Sequence, residues 1–318
     1  ILRRRDEPGR PRERDEDGRL LVPASVACTW PHVFDRVRPG EPVAFDDGSI
    51  TGVVREVRGD EMVVDIVHAL PTGTKLKADK GINFPASVLG FEGLTGDDRA
   101  HLPFVAANAD ILNLSFVHTA ADVEELLDEL ERLEAPTGLG ILLKIETMAS
   151  IANLVPILLT AMRVKPVGIM IARGDLAVES GWHYMGIAQE AVLTLCHAAH
   201  VPTVWASQVL ESLAKTGVPS RAEITDVVMG ERAECVMLNK GRYVDGAVEL
   251  TAAILRNQET LLARRRQLFG IPAARPHGTP LTAAAFLDPR WRGPDTPLEA
   301  LLDDVPAEPV VRSEAGER

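Results

Sequence analysis

The stretches LLKIETM (residues 142–148) and IMIARGDLAVE (residues 169–179) each begin as an apolar run and end in charged residues. Lys144 and Glu146 are two positions apart, a spacing that places both side chains on the same face of a β-strand. Asp175 follows the second apolar run. Burying such charges costs free energy unless they are paired with each other or bind a ligand or metal. These strand ends therefore predict either a structural Lys–Glu ion pair or a functional site.

Polar residues recur at a nearly constant spacing where the predicted strands end. They are Ser115, Lys144, Asp175, Ser207 and Asn239, separated by 29, 31, 32 and 32 positions. One strand, one helix and their loops occupy roughly 30 residues, so the spacing predicts five successive βα units with parallel strands covered by helices. Ligands bind at the carboxyl ends of the strands in such folds, which is where this chain places its polar groups.

The regions on either side of this repeating pattern differ from it. Residues 37–78 contain short β-branched runs separated by the turn sequences DDGS and RGDE, which predict a small antiparallel β module. Residues 1–19 mix both charges with Pro and Gly and predict a solvated loop. We therefore expect a small β domain with a charged N-terminal loop over residues 1–78, a partial (β/α) barrel over residues 79–270, and a Pro-rich, largely irregular tail over residues 271–318.

Composition argues against several classes of protein. The 318 residues carry a formal net charge of −12. Nucleic acids and anionic membrane surfaces bind basic patches, so neither is expected as a partner. No apolar run has the length of a membrane span, and no signal peptide is recognised. Cys28, Cys196 and Cys235 are too far apart for a zinc motif or a disulfide framework, which predicts a reducing, cytoplasmic location. The CHAAH segment at residues 196–200 is expected to pack in a core.

The charged strand ends have the chemistry of a site for a divalent cation and an anion. Proteins typically hold Mg²⁺ by one or two carboxylates plus substrate oxygens, a role open to Glu146 and Asp175. Lys144 supplies a compact positive charge suited to a phosphoryl group. Gly174 lets backbone amides approach a ligand closely. Ser207 is a candidate hydroxyl group, and a helix N-cap is its alternative, structural role.

Several segments, in their order along the chain, resemble the pyruvate kinase family over residues 37–265. They are FDDGSITGVV, KGINFP, LSFV, LKIE, IMIARGDLAVE, SQVLESLAKTGVPSRAEITDVV and CVMLNKG. The resemblance implies an α/β protein of the (β/α)8 TIM-barrel type, incomplete here with about five βα units, in which the β module is an inserted β-barrel lid domain. The first three strands of the family's barrel have no counterpart in this chain, and LNKGRY departs from the usual final-strand segment.

The resemblance also implies roles for individual residues. Lys144 resembles the lysine that stabilises the transferring phosphoryl group. Glu146 and Asp175 resemble the ligands of Mg²⁺, for which Mn²⁺ is an alternative. Gly174 and Asp175 are expected to contact the carboxylate of phosphoenolpyruvate through their backbone amides. Ser207 stands where the family usually has threonine, at the enolate face, and is expected to be both a catalytic and a substrate-binding residue. The family also implies a K⁺ ion, whose ligands belong to the strands that this chain lacks.

The function implied by the resemblance is the pyruvate kinase reaction of glycolysis. Phosphoenolpyruvate and ADP would be converted to pyruvate and ATP, with Mg²⁺ and K⁺ as cofactors and a homo-oligomer as a candidate assembly. Two alternatives stay open. One is a truncated or non-catalytic relative that binds only the metal and phosphoenolpyruvate. The other is an enolate-forming lyase of the phosphoenolpyruvate/pyruvate barrel group, which would need neither a lid module nor an ADP site.

Overall fold

The computed structural model describes residues 1–268 with six exceptions, and for residues 259–268 it describes the backbone alone. The exceptions are Asp6, Asp79, Val88, Phe91, Glu92 and Lys165. Residues Ile1–Leu255 form one compact unit that contains both large sheets. The predicted tail over residues 271–318 lies outside the described residues.

The N-terminal part of the unit is a mainly antiparallel sheet. Its elements are β1 (Leu2–Arg3), β2 (Glu13–Arg14), β3 (Leu20–Val22), β4 (Val26–Ala27), α1 (Val33–Arg36), β5 (Pro42–Phe45), β6 (Ile50–Arg58), β7 (Glu61–His68) and β8 (Ile82–Asn83). The sheet has the order β4-β1-β7-β6-β5-β8, and β2 pairs with β3 separately. Only the β1–β4 pair of this sheet is parallel. Because β4 and β8 are its terminal strands, the structure does not show the closed lid barrel that the resemblance implied.

The DDGS sequence forms the turn between β5 and β6, as its composition predicts. Asp46 and Asp47 adopt positive φ angles of 51° and 53°, which a tight hairpin turn of the primed type requires. Gly48 continues the turn at φ 80°. A Cβ atom added to Gly48 would lie 3.4 Å from the side chain of Val178. The turn of the N-terminal sheet therefore reaches the helix that begins with the RGDL sequence at Arg173.

Two expectations for this region need correction. The solvated loop predicted for residues 1–19 is wrong at its start, because Leu2 is 1% exposed in the sheet core and β1 pairs with both β4 and β7. A strand of two residues is too short to leave a periodic signal in a charged segment. The sheet also continues past residue 78, because β8 pairs with β5.

From residue 96 onwards the chain repeats a strand followed by a helix. The elements are α2 (Gly96–Asn108), β9 (Ile111–Leu114), α3 (Ala120–Arg132), β10 (Gly140–Ile145), α4 (Met148–Ala152), α5 (Leu154–Ala161), β11 (Val167–Ala172), α6 (Arg173–Ser180), α7 (Trp182–Ala199), β12 (Thr203–Val209), α8 (Glu211–Thr216), α9 (Arg221–Gly230), β13 (Cys235–Leu238) and α10 (Val244–Leu268). The five strands pair in parallel in the sequential order β13-β12-β11-β10-β9. The α/β fold of incomplete (β/α)-barrel type is confirmed.

Local sequence signals explain where several of these helices begin. Capping boxes, in which the first residue and a residue three positions later exchange hydrogen bonds, start α2, α3, α4 and α9 at Thr95, Thr119, Thr147 and Ser220. Strand β11 is buried on both faces, with Ile169 and Ile171 on one and Met170 and Ala172 on the other, as a central parallel strand covered by helices requires. Among the helices of the described residues, none combines the length and the apolarity that crossing a bilayer demands.

The two buried thiols are expected to be unreactive in the folded protein. Cys196 is 0% exposed in α7, which confirms the predicted core packing, and burial raises its pKa to about 12. Burial also raises the pKa of the Cys28 thiol, whereas Cys235 is exposed. Because the thiolate is the nucleophile, the reagent DTNB should label Cys235 rapidly and the other two cysteines only after unfolding. Cys235→Ser should remove the rapid phase, and a second fast thiol in that variant would contradict the described burial.

Candidate active site

The charged residues of LLKIE form an ion pair at the carboxyl end of β10. The Nζ atom of Lys144 lies 2.9 Å from Oε2 of Glu146 and donates a hydrogen bond of 3.1 Å to Oγ of Ser115. The Phe116 amide donates a 2.6 Å hydrogen bond to Oε1 of Glu146. Phe116 has a φ of 52°, an uncommon conformation for a bulky residue. The end of β9 therefore supplies two of the groups that hold the β10 charges.

Glu146 is the most buried acid of this cluster, with an exposed fraction of 0%. Burial raises the pKa of its carboxyl group, and the Lys144 ammonium and the Phe116 amide oppose that rise. Nearby Asp175 raises the pKa further by charge repulsion. Although Oε2 is in the ion pair, it accepts no well-directed hydrogen bond from the described residues. The carboxylate therefore keeps an oxygen available to a further cation.

Gly174, Asp175 and Ser207 meet at the ends of the next two strands. The parallel register pairs Ala172 with Ala206, and just beyond that pair the Gly174 amide donates a 3.1 Å hydrogen bond to Oγ of Ser207. An added Cβ at Gly174 would lie 3.1 Å from the same oxygen, so glycine permits the close approach. Asp175 lies in the first turn of α6. Ser207 lies inside β12, and α8 begins only at Glu211, so the alternative N-cap role of Ser207 is wrong.

The N-terminal sheet contributes two polar side chains that the sequence prediction did not include. Asn83 of β8 donates hydrogen bonds of 3.3 Å to Asp175 and 3.2 Å to Glu179. Asp47 lies in the DDGS turn, and its pKa is raised by burial and by the charge of Asp175. The segments KGINFP and DDGS contain these residues, but their spacing along the chain did not indicate that they would reach α6.

A cavity of about 150 Å³ lies at this junction. Its polar lining comes from Asp47, Arg173, Gly174, Ser207, Gln208 and Asp226. Arg173 and Asp226 form a bidentate ion pair that was also missed from the sequence. The one available signal was an arginine directly after an apolar strand, where a charge requires a partner.

The donor set at the strand ends fits a divalent cation of the Mg²⁺ type. Glu146 and Asp175 offer carboxylate oxygens, which are the ligands that hard cations prefer. Within the part of the chain that the structure describes, no group of three or more His, Cys, Asp or Glu residues is arranged to hold a metal. A cation here would therefore take two protein carboxylates and complete its coordination with substrate and water oxygens, as Mg²⁺ commonly does.

Replacing Asn83 with alanine is expected to make stability more dependent on pH. Burial already raises the pKa of Glu179, the Asn83 hydrogen bond lowers it, and Asp175 raises it by repulsion. A carboxyl group with a raised pKa in the folded state binds more protons than in the unfolded state, so stability falls as pH rises through that pKa. Without the Asn83 donor, the fall should extend to higher pH and should cost about 1–2 kcal/mol at neutral pH.

Urea unfolding between about pH 4.5 and 7.5 measures this effect. The double variant Asn83→Ala/Glu179→Gln is the control, because it removes the titrating group and should lose the added pH dependence. An Asn83→Ala profile parallel to that of the parent chain would contradict the assigned hydrogen bonds.

Parallel strands with polar groups collected at their carboxyl ends define an α/β protein of the (β/α)-barrel class. The family model described as "Pyruvate kinase, barrel domain" matches residues 20–248. The chain therefore belongs to the pyruvate kinase family.

Relatives from distant organisms agree with this assignment. The pyruvate kinase of Geobacillus stearothermophilus is 32% identical over 253 residues, which cover 77% of this chain and 42% of the relative. Pyruvate kinase PKLR of Rattus norvegicus is 34% identical over 242 residues, which cover 73% of this chain and 40% of the relative. Pyruvate kinase PKLR of Homo sapiens is 33% identical over 254 residues, with coverages of 77% and 42%. The chain thus spans about two fifths of the length of these relatives.

Proposed function

We propose that this chain carries the phosphoryl-transfer centre of a pyruvate kinase-like enzyme, which converts phosphoenolpyruvate and ADP to pyruvate and ATP. The observation that most supports the proposal is the meeting of the Lys144–Glu146 ion pair with Asp175 at the carboxyl ends of β10 and β11. Phosphoryl transfer depends on positioning and on charge stabilisation, and these groups supply both. Membership of the pyruvate kinase family supports the same reaction.

Lys144 would stabilise the phosphoryl group during its transfer. Its ammonium is held by Glu146 and Ser115, so its position is set before the substrate binds and little reorganisation is needed in the transition state. Glu146 and Asp175 would hold Mg²⁺ or Mn²⁺, which when bound supplies positive charge to the oxygens of the substrate. The buried carboxylate of Glu146 would then have two cations beside it, which favours its ionised form.

Gly174 and Ser207 would bind the other end of phosphoenolpyruvate. The backbone amides of Gly174 and Asp175 are proposed to receive the substrate carboxylate, and the Gly174 amide would share this contact with the hydrogen bond that it donates to Oγ of Ser207. Because this oxygen accepts a hydrogen bond from the amide, its own O–H group can point towards a bound substrate. We propose that the enolate left by phosphoryl transfer is protonated on this side.

The remaining features of the proposal rest on the family. We propose four such features for this protein: K⁺ dependence, a place in glycolysis, a cytoplasmic location and assembly into a homo-oligomer. The division into an N-terminal β domain, a partial barrel that continues to residue 270 and a tail over residues 271–318 also remains a proposal, with the first boundary moved past β8. The contacts of β8 and Asn83 support a role of the N-terminal sheet as a lid over the strand ends.

A binding-only relative is the second candidate. The observation that favours it is the compensation of Lys144, because the ammonium is already paired with the carboxylate of Glu146 at 2.9 Å. Such a protein would bind the divalent cation and phosphoenolpyruvate through Glu146, Asp175, Gly174 and Ser207 without turnover.

Pyruvate formation from phosphoenolpyruvate, with Mg²⁺ and K⁺ present, tests the proposal. The assay is run with and without ADP, on this chain and on any longer natural form that continues it at the N-terminus. ADP-dependent pyruvate formation by either form supports phosphoryl transfer. Binding of phosphoenolpyruvate without turnover in both forms favours the binding-only relative, and release of an enolate product without ADP favours a lyase.

A further inference from the structure

Arg173 connects three elements around the candidate site. Its guanidinium donates from Nε to the carbonyl of Ala206 at 2.8 Å and from Nη2 to the carbonyl of Ser207 at 2.6 Å. It also forms a bidentate ion pair with Asp226 of α9, in which Nη2 lies 2.7 Å from Oδ2. All three guanidinium nitrogens are therefore engaged by the protein itself.

Trp205 contacts both members of the Arg173–Asp226 ion pair. The Arg173 guanidinium carbon lies 4.3 Å from the centre of the Trp205 ring, a distance typical of a cation–π contact. The Trp205 Nε1 atom donates a 3.2 Å hydrogen bond to the same Asp226 oxygen that Arg173 contacts. Trp205 is 1% exposed and Arg173 is 8% exposed, so both side chains are fixed inside the fold.

Arg173 lines the cavity, and its contacts distinguish a role in binding substrate from a role in holding neighbouring elements together. A substrate-binding arginine would present free donors and uncompensated positive charge to the ligand. Here Asp226 balances the charge, and the two carbonyl contacts fall on consecutive residues of β12. The second of these residues is Ser207, whose hydroxyl oxygen accepts a hydrogen bond from the Gly174 amide. The geometry therefore indicates alignment of β12 on α6 rather than recognition of the ligand.

We propose that Arg173, held by Asp226 and Trp205, is a positioning residue that sets the Ser207 hydroxyl against the Gly174 amide. This proposal rests on the proposed function for its kinetic consequence but not for its structural one. A lysine at position 173 keeps the charge but cannot make the bidentate pair and both carbonyl contacts at once. The strand end that carries Ser207 then loses its fixed distance from Gly174.

The test compares Arg173→Lys with a matched control, Arg232→Lys. Arg232 also forms a bidentate pair, with Glu190, but that pair lies on the surface, with side chains 39% and 51% exposed. Hydrogen–deuterium exchange, followed on peptides that cover residues 173–177, reports the Gly174 amide without any substrate. Arg173→Lys should accelerate exchange in this segment by about tenfold, and Arg232→Lys should leave it unchanged.

The kinetic arm uses whichever natural form is active. Arg173→Lys should lower kcat by about 10–100-fold, because a small misplacement of a reacting group has effects of this size, and should change KM for ADP little. Unchanged exchange over residues 173–177 in folded Arg173→Lys would overturn the positioning role, whatever the activity. If the parent chain has no activity in any form, the proposed function fails while the exchange result still decides this inference.

Trp205→Phe is the second variant, used if Arg173→Lys does not fold. It keeps an aromatic ring under the guanidinium but removes the donor to Asp226. A smaller acceleration of exchange over residues 173–177 is expected, and an unchanged rate would overturn the proposal.

Discussion

Lys144→Met is expected to abolish pyruvate formation by the active form, with a loss of at least about 10³-fold in kcat. Methionine retains much of the length and apolar bulk of lysine but removes the charge that lies 2.9 Å from Glu146 and 3.1 Å from Ser115. The phosphoryl group would then lose its compact cation, while the strands that position the site remain. The coupled assay with phosphoenolpyruvate and ADP measures the loss.

The same substitution should also destabilise the fold, which the double variant Lys144→Met/Glu146→Gln separates from catalysis. Removing the ammonium leaves the buried Glu146 carboxylate without its counter-charge, which costs about 3–5 kcal/mol unless the group takes up a proton. Glu146→Gln removes that charge, so the double variant should regain stability without regaining activity. Recovery of activity in the double variant would contradict a role for the Lys144 charge.

Lys215→Met is the matched control for Lys144→Met. Lys215 forms an ion pair with Glu211 four residues earlier, but its side chain is 59% exposed. Exposed pairs contribute roughly 0–1 kcal/mol, so this variant should keep both stability and activity. Equal losses in the two variants would show that the effect of Lys144→Met is not specific to the site.

Gly241→Ala is expected to destabilise the fold by about 3 kcal/mol or more. An ideal Cβ at this position would lie 2.1 Å from the carbonyl oxygen of Ala214 and 2.4 Å from its carbonyl carbon. Those atoms belong to the backbone of α8, and the same oxygen accepts a 2.9 Å hydrogen bond from the Tyr243 amide. Because backbone atoms cannot rotate away, either the connection between β13 and α10 or the end of α8 must shift.

The matched control is Gly246→Ala, five positions further along the chain. Gly246 lies in α10, and an added Cβ there would meet no atom within 4 Å. Alanine is favoured over glycine in a helix by about 1 kcal/mol, so this variant should be neutral or more stable. Urea unfolding with a constant m-value distinguishes the two results. A Gly241→Ala chain as stable as the parent would contradict the packing of this connection.

The spacing of polar residues predicted the parallel sheet because each strand–helix unit places a polar residue near the end of its own strand. Ser115 and Asn239 directly follow a strand, Lys144 and Ser207 lie among the last three residues of one, and Asp175 lies in the helix turn that follows β11. An apolar strand buried on both faces can place polar groups only where it leaves the core. The steady repeat of strand and helix therefore appears directly in the sequence.

Contacts between distant segments left no comparable signal. Asn83 is 92 positions from Asp175, and Arg173 is 53 positions from Asp226. Neither pair lies on one strand or helix, so no periodicity joins its members. Their meeting depends on the register of β12 beside β11 and on the DDGS turn that reaches α6. The strand ends could thus be predicted as a candidate site, whereas the residues that orient them required the structure.

The structure describes the positions of the predicted residues, whereas their roles in binding and catalysis are proposals. The structure brings Lys144 to Glu146 and Ser207 to Gly174, and both pairs were expected to lie at the strand ends. Metal binding distinguishes an ion pair that only stabilises the fold from one that also serves a metal and a phosphoryl group.

Binding of Mn²⁺ to this chain, followed by electron paramagnetic resonance with and without phosphoenolpyruvate, tests the central claim most directly because it requires no turnover. Two protein carboxylates alone give weak binding, so phosphoenolpyruvate should tighten Mn²⁺ binding at least about tenfold by completing its coordination. Glu146→Gln and Asp175→Asn should each abolish the tightening. Mn²⁺ binding that is indifferent to phosphoenolpyruvate and survives both substitutions would contradict a metal and substrate site at the ends of β10 and β11.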